Sequence, residues 1–317
     1  MNMKNIISQL FLALIGLSTL AATSQAKLNV VATTADFGAI ARNIGGDLVE
    51  VSVLAKPTED PHFVDPKPSY MVKLSRADVL IEGGAELEVG WLPPLLDGAR
   101  NTKLAAGQPG HVCCAEGLAL LEVPTALDRS QGDIHAMGNP HFMTDPVNAG
   151  HAAKLICATF VAVDSEHAAA YQAALAVFMK RLDENMAIWQ KKMAPFQGKS
   201  VVAYHNSWPY FANRFGVKID LFLEPKPGIP PTPAHLADVV THMKTEHINV
   251  IVVEPYQNRK TAEKVAAETG ATIVDFAQFP GGVKGTEAGY IELIDYLVNS
   301  LATALKNSSG TAKGQKP

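Results

Sequence analysis

Cysteine is scarce in this chain, and the spacing of the few present excludes the common thiolate metal sites. The three cysteines are Cys113, Cys114 and Cys157, and none of them forms the Cys-x-x-Cys pattern of a thiolate zinc site. Adjacent cysteines rarely bridge each other, because the geometry is strained. In an oxidising compartment Cys157 could pair with Cys113 or with Cys114, and the sequence leaves open whether it does.

A strong excess of charge of either sign is also missing. The chain has 27 lysines and arginines and 31 aspartates and glutamates, with a formal net charge of −4. No long basic stripe is present, which argues against nucleic acid as a partner. No His-Glu-x-x-His helix or other hydrolase motif is found. After the first 26 residues, charges or prolines interrupt every apolar run, so we expect no membrane span there.

The first 26 residues have the pattern of a cleavable export signal. Lys4 is followed by the apolar core Leu10–Leu17, and Ser24 and Ala26 place small residues at the −3 and −1 positions of a cleavage site. The apolar core is too short to span about 30 Å of hydrocarbon. No lipid-attachment cysteine follows it. We therefore expect cleavage after Ala26 and a mature periplasmic protein that is not a lipoprotein.

Alternating apolar strands and helices predict an α/β protein with two lobes and parallel sheets. Between the two sets of alternating elements, 165–192 contains no proline or glycine and has apolar residues at helical spacing, which predicts one long helix of about seven turns. The predicted organisation is a signal peptide (1–26), an N-terminal α/β lobe (27–162), an interlobe helix (163–197), a C-terminal α/β lobe (198–306) and a disordered tail (307–317).

Three histidines lie in short segments that are suited to binding an ion. The segments around His62 and His141 both begin Pro-His-Phe and end Asp-Pro, and His205 follows a predicted strand in Tyr204-His205-Asn206-Ser207-Trp208. Flanking prolines restrict the backbone and remove a donor, so the first two histidines should lie on stiff loops. Stiff loops from distant parts of a chain, each with an imidazole, are what a preformed metal site needs.

The remaining polar residues around these segments have simpler interpretations. Asp65 and Asp145 each precede a proline, and we expect them to cap the following helix rather than hold an imidazole. We expect His135 to be a solvated loop histidine, and the alternative is that it relays an ion towards the site. The other histidines are expected to be ordinary surface or core residues: His111, His151, His167, His235, His242 and His247.

Four motifs in a fixed order carry a resemblance to a known family. They are the two Pro-His segments, the segment 204–211, and Val253-Glu254-Pro255 followed by a helix and Glu268-Thr269-Gly270. Together they resemble the metal-binding class of ABC-transporter substrate-binding proteins, which includes zinc and manganese uptake receptors. The resemblance runs from about Leu28 to Leu305. It implies two α/β lobes joined by one long rigid helix, with the ion held between the lobes.

The resemblance also implies a set of ligands. His62, His141 and His205 match the family's histidines, and Asp275 is the nearest match to the aspartate that often serves as fourth ligand. Glu254 is the alternative, either as a ligand or as a partner that orients a histidine. Three imidazoles and one carboxylate suit tetrahedral Zn²⁺, whereas Mn²⁺ prefers more oxygen ligands. Manganese receptors of the family tend to have a carboxylate where this chain has His205, so zinc is favoured and manganese is the alternative.

The expected function is therefore non-catalytic: a monomeric receptor that carries the ion to a membrane permease, with a periplasmic metallochaperone as a further candidate partner. The rival is an extracytoplasmic zinc hydrolase, in which Glu254 or Glu59 would act as base on a metal-bound water. Such a site would keep its fourth position open. An adhesin on the same scaffold is a third hypothesis, and the missing lipid-attachment cysteine disfavours it.

Overall fold

A computed structural model of the 317-residue chain describes residues 27–126, 132 and 135–311. The predicted signal peptide (1–26) lies outside these residues, as do 127–131, 133–134 and 312–317.

The N-terminal lobe is built on a four-stranded, all-parallel sheet with strand order β2-β1-β3-β4. Val30 of the inner strand β1 is in register with Val51 of β2 on one side and with Val79 of β3 on the other. Val30 and its neighbour Val31 are both buried, as expected where helices cover both faces of a parallel sheet. The elements of this lobe are β1 (Leu28–Ala32), α1 (Ala35–Gly45), β2 (Val49–Val53), α2 (Pro68–Arg76), β3 (Val79–Glu82), α3 (Leu92–Ala99), β4 (His111–Cys113) and α4 (Pro146–Val163).

The C-terminal lobe repeats this topology with a second parallel sheet of order β6-β5-β7-β8. Its inner strand β7 is buried along its whole length, which explains why the run Val250-Ile251-Val252-Val253 contains no polar residue. The confirmed architecture is therefore two α/β lobes with parallel sheets. The elements are β5 (Ser200–Ala203), α6 (Pro209–Phe215), β6 (Lys218–Phe222), α7 (Pro233–Thr245), β7 (Val250–Val253), α8 (Arg259–Thr269), β8 (Thr272–Asp275) and α9 (Tyr290–Thr311).

One long helix, α5 (Ala168–Met193), connects the lobes, as the sequence predicted. A 3₁₀ turn at Ser165–His167 precedes it and another at Ala194–Phe196 follows it. The helix packs against α1, α4 and α9. Trp189 is fully buried in this packing, and its indole N–H donates to a carboxylate oxygen of Asp295 at 3.2 Å. The long helix thus shares one hydrophobic core with elements of both lobes.

Three features differ from the expectations. Strand β4 has only three residues, and β6 alternates exposed and buried positions at the edge of its sheet, so neither was predicted. Helix α9 continues to Thr311, beyond the expected boundary at 306. Helix α4 has the length and mean hydropathy (1.2) of a membrane span, but Ile156 and Phe160 on its inner face are buried in the core, so its apolar character serves packing.

The two aspartates expected to cap helices behave differently. The Asp145 side chain accepts a hydrogen bond from the backbone N–H of Val147 at 2.9 Å and caps α4, as predicted. The capping position of α2 is instead Lys67, without a side-chain hydrogen bond. The prediction for Asp65 was therefore wrong, because α2 starts later than the Asp-Pro pair suggested.

Candidate metal centre

His62, His141 and His205 come together from three separate segments. One ligand nitrogen from each ring lies within 4.8 Å of the other two. The ring centroids are 5.0 Å apart for His62 and His141, 5.7 Å for His62 and His205, and 5.6 Å for His141 and His205. Imidazoles that share one tetrahedral ion, with metal–nitrogen distances of about 2.0–2.1 Å, have centroids about 5 Å apart. The spacing of the three rings therefore suits a single small cation.

The topology of the sheets explains this meeting point. His62 follows β2 and His205 follows β5, so each ring lies beyond the carboxyl end of a parallel strand, where α/β folds commonly bind ligands. His141 is buried on the connection between β4 and α4. Its backbone is fixed because its N–H donates to Oδ1 of Asn139 at 3.0 Å and its carbonyl accepts from the hydroxyl of Thr144 at 2.9 Å.

Two of the three rings are held in place by carboxylates. Nδ1 of His62 lies 2.9 Å from Oδ1 of Asp60, and Nδ1 of His205 lies 2.7 Å from Oε2 of Glu224. A carboxylate on Nδ1 leaves Nε2 available to an ion, fixes the tautomer and increases the basicity of the ring. The sequence could have indicated Asp60 as the partner of His62, because Asp60 lies only two residues before it. Glu224 lies 19 residues after His205 and had no local signal.

The surroundings shift the proton affinities of the rings in opposite directions. Burial moves the pKa of His141 well below its ordinary value, and the neighbouring imidazoles lower it further. Burial also acts to lower the pKa of His205, but the hydrogen bond and negative charge of Glu224 outweigh it, so the net pKa is raised. His141 also has a buried Nδ1 without a hydrogen-bond partner. Such an orphaned nitrogen is unusual in a protein interior, and Gln278 is the neighbouring side chain that acts on this ring.

The geometry does not support the prediction that Asp275 is the fourth ligand. Asp275 ends β8, its side chain is half exposed, and its carboxylate is paired with the guanidinium of Arg259. Among the described residues, the convergent group that contains the three histidines includes no carboxylate. The match by position after a strand pointed to the wrong side chain, because the chain continues beyond β8 before it turns back towards the site.

The residue that does return towards the site after β8 is Gln278, which sequence reasoning missed. Its side chain is buried, and its amide donates to the hydroxyls of Ser207 and Tyr256, at 3.0 Å and 2.5 Å. It faces His141 closely enough to oppose in part the lowering of the pKa of that ring. Gln278 therefore links the segment after β8 to the wall of the histidine cluster.

Glu254, the alternative ligand, is fully buried behind the cluster. Its Oε1 accepts a hydrogen bond from the indole N–H of Trp208 at 2.9 Å. Burial raises its pKa to about 7, although the charge of His205 acts in the opposite direction. Glu254 does not belong to the convergent group, and the carboxylate that orients His205 is Glu224 instead.

The expectation that His135 is a solvated loop histidine was wrong. Its side chain is half buried, and its ring centroid lies 5.2 Å from that of His62, with an angle of 32° between the planes. Four of the histidines expected to be ordinary have protein partners for their rings: His111 with Glu82, His151 with the carbonyl of Glu116, His167 with Asp164 and His235 with the carbonyl of Phe222.

A cavity of about 400 Å³ lies beside the cluster and is lined by His135, His141 and His205. Glu122 on its wall is fixed by two amides, since its Oε2 accepts from Asn139 at 3.0 Å and from Asn206 at 2.8 Å. Glu224 and the proline-rich run after it form the opposite wall. The cavity therefore adjoins the imidazoles, and its lining includes two carboxylates, Glu122 and Glu224, as well as Lys226.

Two α/β lobes on one long helix, with clustered imidazoles between them, define a metal-binding substrate-binding protein of the ABC-transporter class. The profile of the family described as zinc-uptake complex component A, periplasmic, matches residues 30–304. The chain belongs to this family.

The relatives found by sequence comparison are named for different metals. The chain is 27% identical to the iron-binding protein YfeA of Yersinia pestis over 87% of this chain and 86% of that protein. It is 26% identical to the manganese ABC transporter substrate-binding lipoprotein PsaA of Streptococcus anginosus, over 93% and 96%. A zinc-bound crystal structure of a ZnuA deletion mutant superimposes with a TM-score of 0.75 at 24% identity, covering 88% of this chain and 98% of that one, which shows the shared fold.

Proposed function

We propose that this protein is a periplasmic receptor that captures Zn²⁺ through His62, His141 and His205 and delivers it to the permease of an ABC transporter. The observation that carries the proposal is the spacing of the three imidazoles, with centroids 5.0–5.7 Å apart. The carboxylates on Nδ1 of His62 and His205 support it, because such partners are typical of metal-ligating histidines.

The donor set favours zinc over manganese. The convergent group in the described part of the chain contains three imidazole nitrogens and no carboxylate. Imidazole is a good ligand for zinc, whereas manganese binds better to oxygen. The names of the relatives include iron, manganese and zinc, so the choice of metal rests on these donors. A manganese receptor is the alternative, and a direct comparison of the two metals decides between them.

The hydrolase hypothesis receives less support from the geometry. Of the two bases considered, Glu254 is buried and bonded to Trp208. Glu59 accepts a hydrogen bond from the backbone N–H of Lys56 at 3.1 Å. Neither belongs to the convergent group. A receptor needs no base, and this arrangement agrees with capture and release of the ion without catalysis.

The test is metal binding by the mature chain from Lys27 onward, measured by calorimetry against a competing chelator. We expect one zinc per chain, bound more tightly than manganese. Replacement of His62, His141 or His205 by alanine should each weaken zinc binding by ~100-fold or more, since a structural site divides about 10–16 kcal/mol among four ligands. His167→Ala is the matched control, because the ring of His167 is bonded to Asp164. Wild-type affinity in all three variants would reject the proposal, and tighter manganese than zinc would reject the choice of metal.

The localisation and partners follow from the same proposal. We infer a cleaved, non-lipidated protein that works as a monomer and meets the permease in the periplasm. A periplasmic metallochaperone stays a prediction. Cell fractionation and the mass of the mature chain test the first inference, since a retained N-terminus or an attached lipid would contradict it.

A further inference from the structure

A fourth imidazole lies next to the three that define the centre. The ring of His135 is 5.2 Å from that of His62, a separation within the 5.0–5.7 Å range found among His62, His141 and His205. His135 also lines the same cavity as His141 and His205. We propose that His135 supplies the fourth ligand of the transported ion, so that the site consists of four imidazoles. This inference rests on the proposed function.

The backbone around His135 is anchored to the N-terminal lobe. The N–H of Ala136 donates to the carboxylate of Glu86, and the N–H of Asn139 donates to the carbonyl of Leu121 at 2.8 Å. The carbonyl of His135 itself accepts from the N–H of Gly138 at 3.1 Å. These bonds keep the residue beside His62, so its position does not depend on a chance contact of the side chain.

Most of the other polar groups near the centre have partners. Asp275 is paired with Arg259. Asp60 and Glu224 hold the Nδ1 atoms of His62 and His205. Gln278 donates to Ser207 and Tyr256, and Oε1 of Glu254 accepts from Trp208 behind the cluster. Oε2 of Glu254 is buried without a partner, but Glu254 does not line the cavity that His135 shares with His141 and His205. Within the described part of the chain, the ring of His135 has no hydrogen-bond partner, which distinguishes it from His111, His151, His167 and His235.

Ligation by His135 requires a small movement of its side chain. The group whose ligand atoms lie within 4.8 Å of one another contains only the other three histidines. The planes of His135 and His62 are tilted by 32°, whereas the three clustered rings meet at 71–89°. The inference therefore includes a rotation of the His135 side chain that brings a ring nitrogen into the group when the ion binds.

A four-imidazole site has a chemical consequence for selectivity. All four donors are neutral nitrogens, so the charge of the ion is balanced from behind by Asp60 and Glu224, which do not coordinate it. Such a set favours zinc and disfavours manganese, because manganese prefers oxygen donors. The substrate class that this site selects is therefore a divalent ion that accepts tetrahedral nitrogen coordination.

The test counts imidazoles on the bound metal directly. X-ray absorption of the zinc-loaded wild-type protein should fit four imidazole nitrogens, and His135→Gln should fit three. With Co²⁺ as the probe, the wild type should give the intense visible absorption of a tetrahedral ion. His135→Gln should change that spectrum and weaken zinc binding by ~100-fold. His167→Gln is the control and should leave both unchanged.

The outcomes separate this inference from the proposed function. Three imidazoles in the wild type, or a His135→Gln protein with wild-type affinity and cobalt spectrum, would overturn the role of His135 while leaving the three-histidine centre intact. If His205→Ala also bound zinc normally, the proposed function itself would fail. The count on the wild type does not depend on any variant, so poor folding of His135→Gln would not remove the test.

Discussion

Arg214 forms two parallel hydrogen bonds to Asp145, Nε to Oδ1 and Nη2 to Oδ2, both 2.8 Å long. The pair joins α6 of the C-terminal lobe to the start of α4 in the N-terminal lobe. Asp145 is buried and also caps α4 through Val147. One carboxylate therefore ties the lobes together close to His141, which lies four residues before it.

Arg214→Ala should lower the free energy of unfolding of the metal-free protein by about 1.5–3 kcal/mol, because hydrogen bonds to a charged group in a buried position are lost. Arg181→Ala is the matched control. Arg181 pairs with Glu292 at 3.2 Å in an exposed position, where an ion pair contributes only about 0–1 kcal/mol. Urea unfolding measures both variants. Equal losses would show that the Arg214–Asp145 pair has no special role.

Zinc affinity should fall as the pH decreases, and Glu224 should set where the fall occurs. A protonated imidazole cannot bind metal, and Glu224 raises the pKa of His205 above the ordinary 6.5. Protons should therefore compete for His205 already near neutral pH. Glu224→Gln removes the charge, lowers the pKa of His205 and should move the loss of affinity to lower pH. Chelator competition from about pH 8 to about pH 5.5 measures this, and superimposable pH profiles would contradict it.

Asp60→Asn should weaken zinc binding by about 10- to 100-fold, the usual effect of removing the partner of a ligating histidine. The stoichiometry should stay at one zinc per chain, because His62 itself is retained. Asp65→Asn is the matched control, since Asp65 is exposed and lies only three residues from the same histidine in sequence. Calorimetry with both variants checks the prediction. Equal affinities of the two variants would show that the 2.9 Å contact does not assist binding.

The three cysteines should be free and slow to react. The structure leaves Cys113, Cys114 and Cys157 unpaired. Burial raises the pKa of Cys113 to about 11 and that of Cys114 well above its ordinary value, so few thiolates are available. A thiol reagent at about pH 8 should react slowly with the native protein. After denaturation, the same reagent should react with all three thiols. Only one reactive thiol after denaturation would indicate a disulfide in the mature protein.

Much of the fold could be predicted because its inner elements have strong local patterns. The run 250–253 is uniformly apolar, and 168–193 has helical periodicity without proline or glycine. Two of the edge strands, β4 and β6, lacked such patterns. In β6, Lys218 and Asp220 are exposed, so the strand is defined by its pairing with β5 rather than by its own composition. Its existence depends on a neighbour that the local sequence does not show.

The same distinction applies to the centre. His62 and His141 were predicted because prolines and phenylalanine mark their loops. His135 was assigned to solvent in preference to a relay role, and Glu224 was missed, because their positions depend on how distant segments return to the cavity. Asp275 was favoured because its place after a strand is visible in the sequence, whereas its pairing with Arg259 is visible only in the structure. Local patterns thus indicated the proposed ligands, whereas the groups that surround them required tertiary structure.

Each sheet is formed by one continuous stretch of chain, so the backbone passes between the sheets once, through the 26 residues of α5. This helix is about 39 Å long at 1.5 Å per residue. Proteins with two or three extended crossovers can swivel at a few peptide bonds, but a packed helix has no such pivot. We therefore expect separation of the lobes to require bending of the helix or movement at the 3₁₀ turns that flank it, so that the connection restricts large changes in lobe spacing.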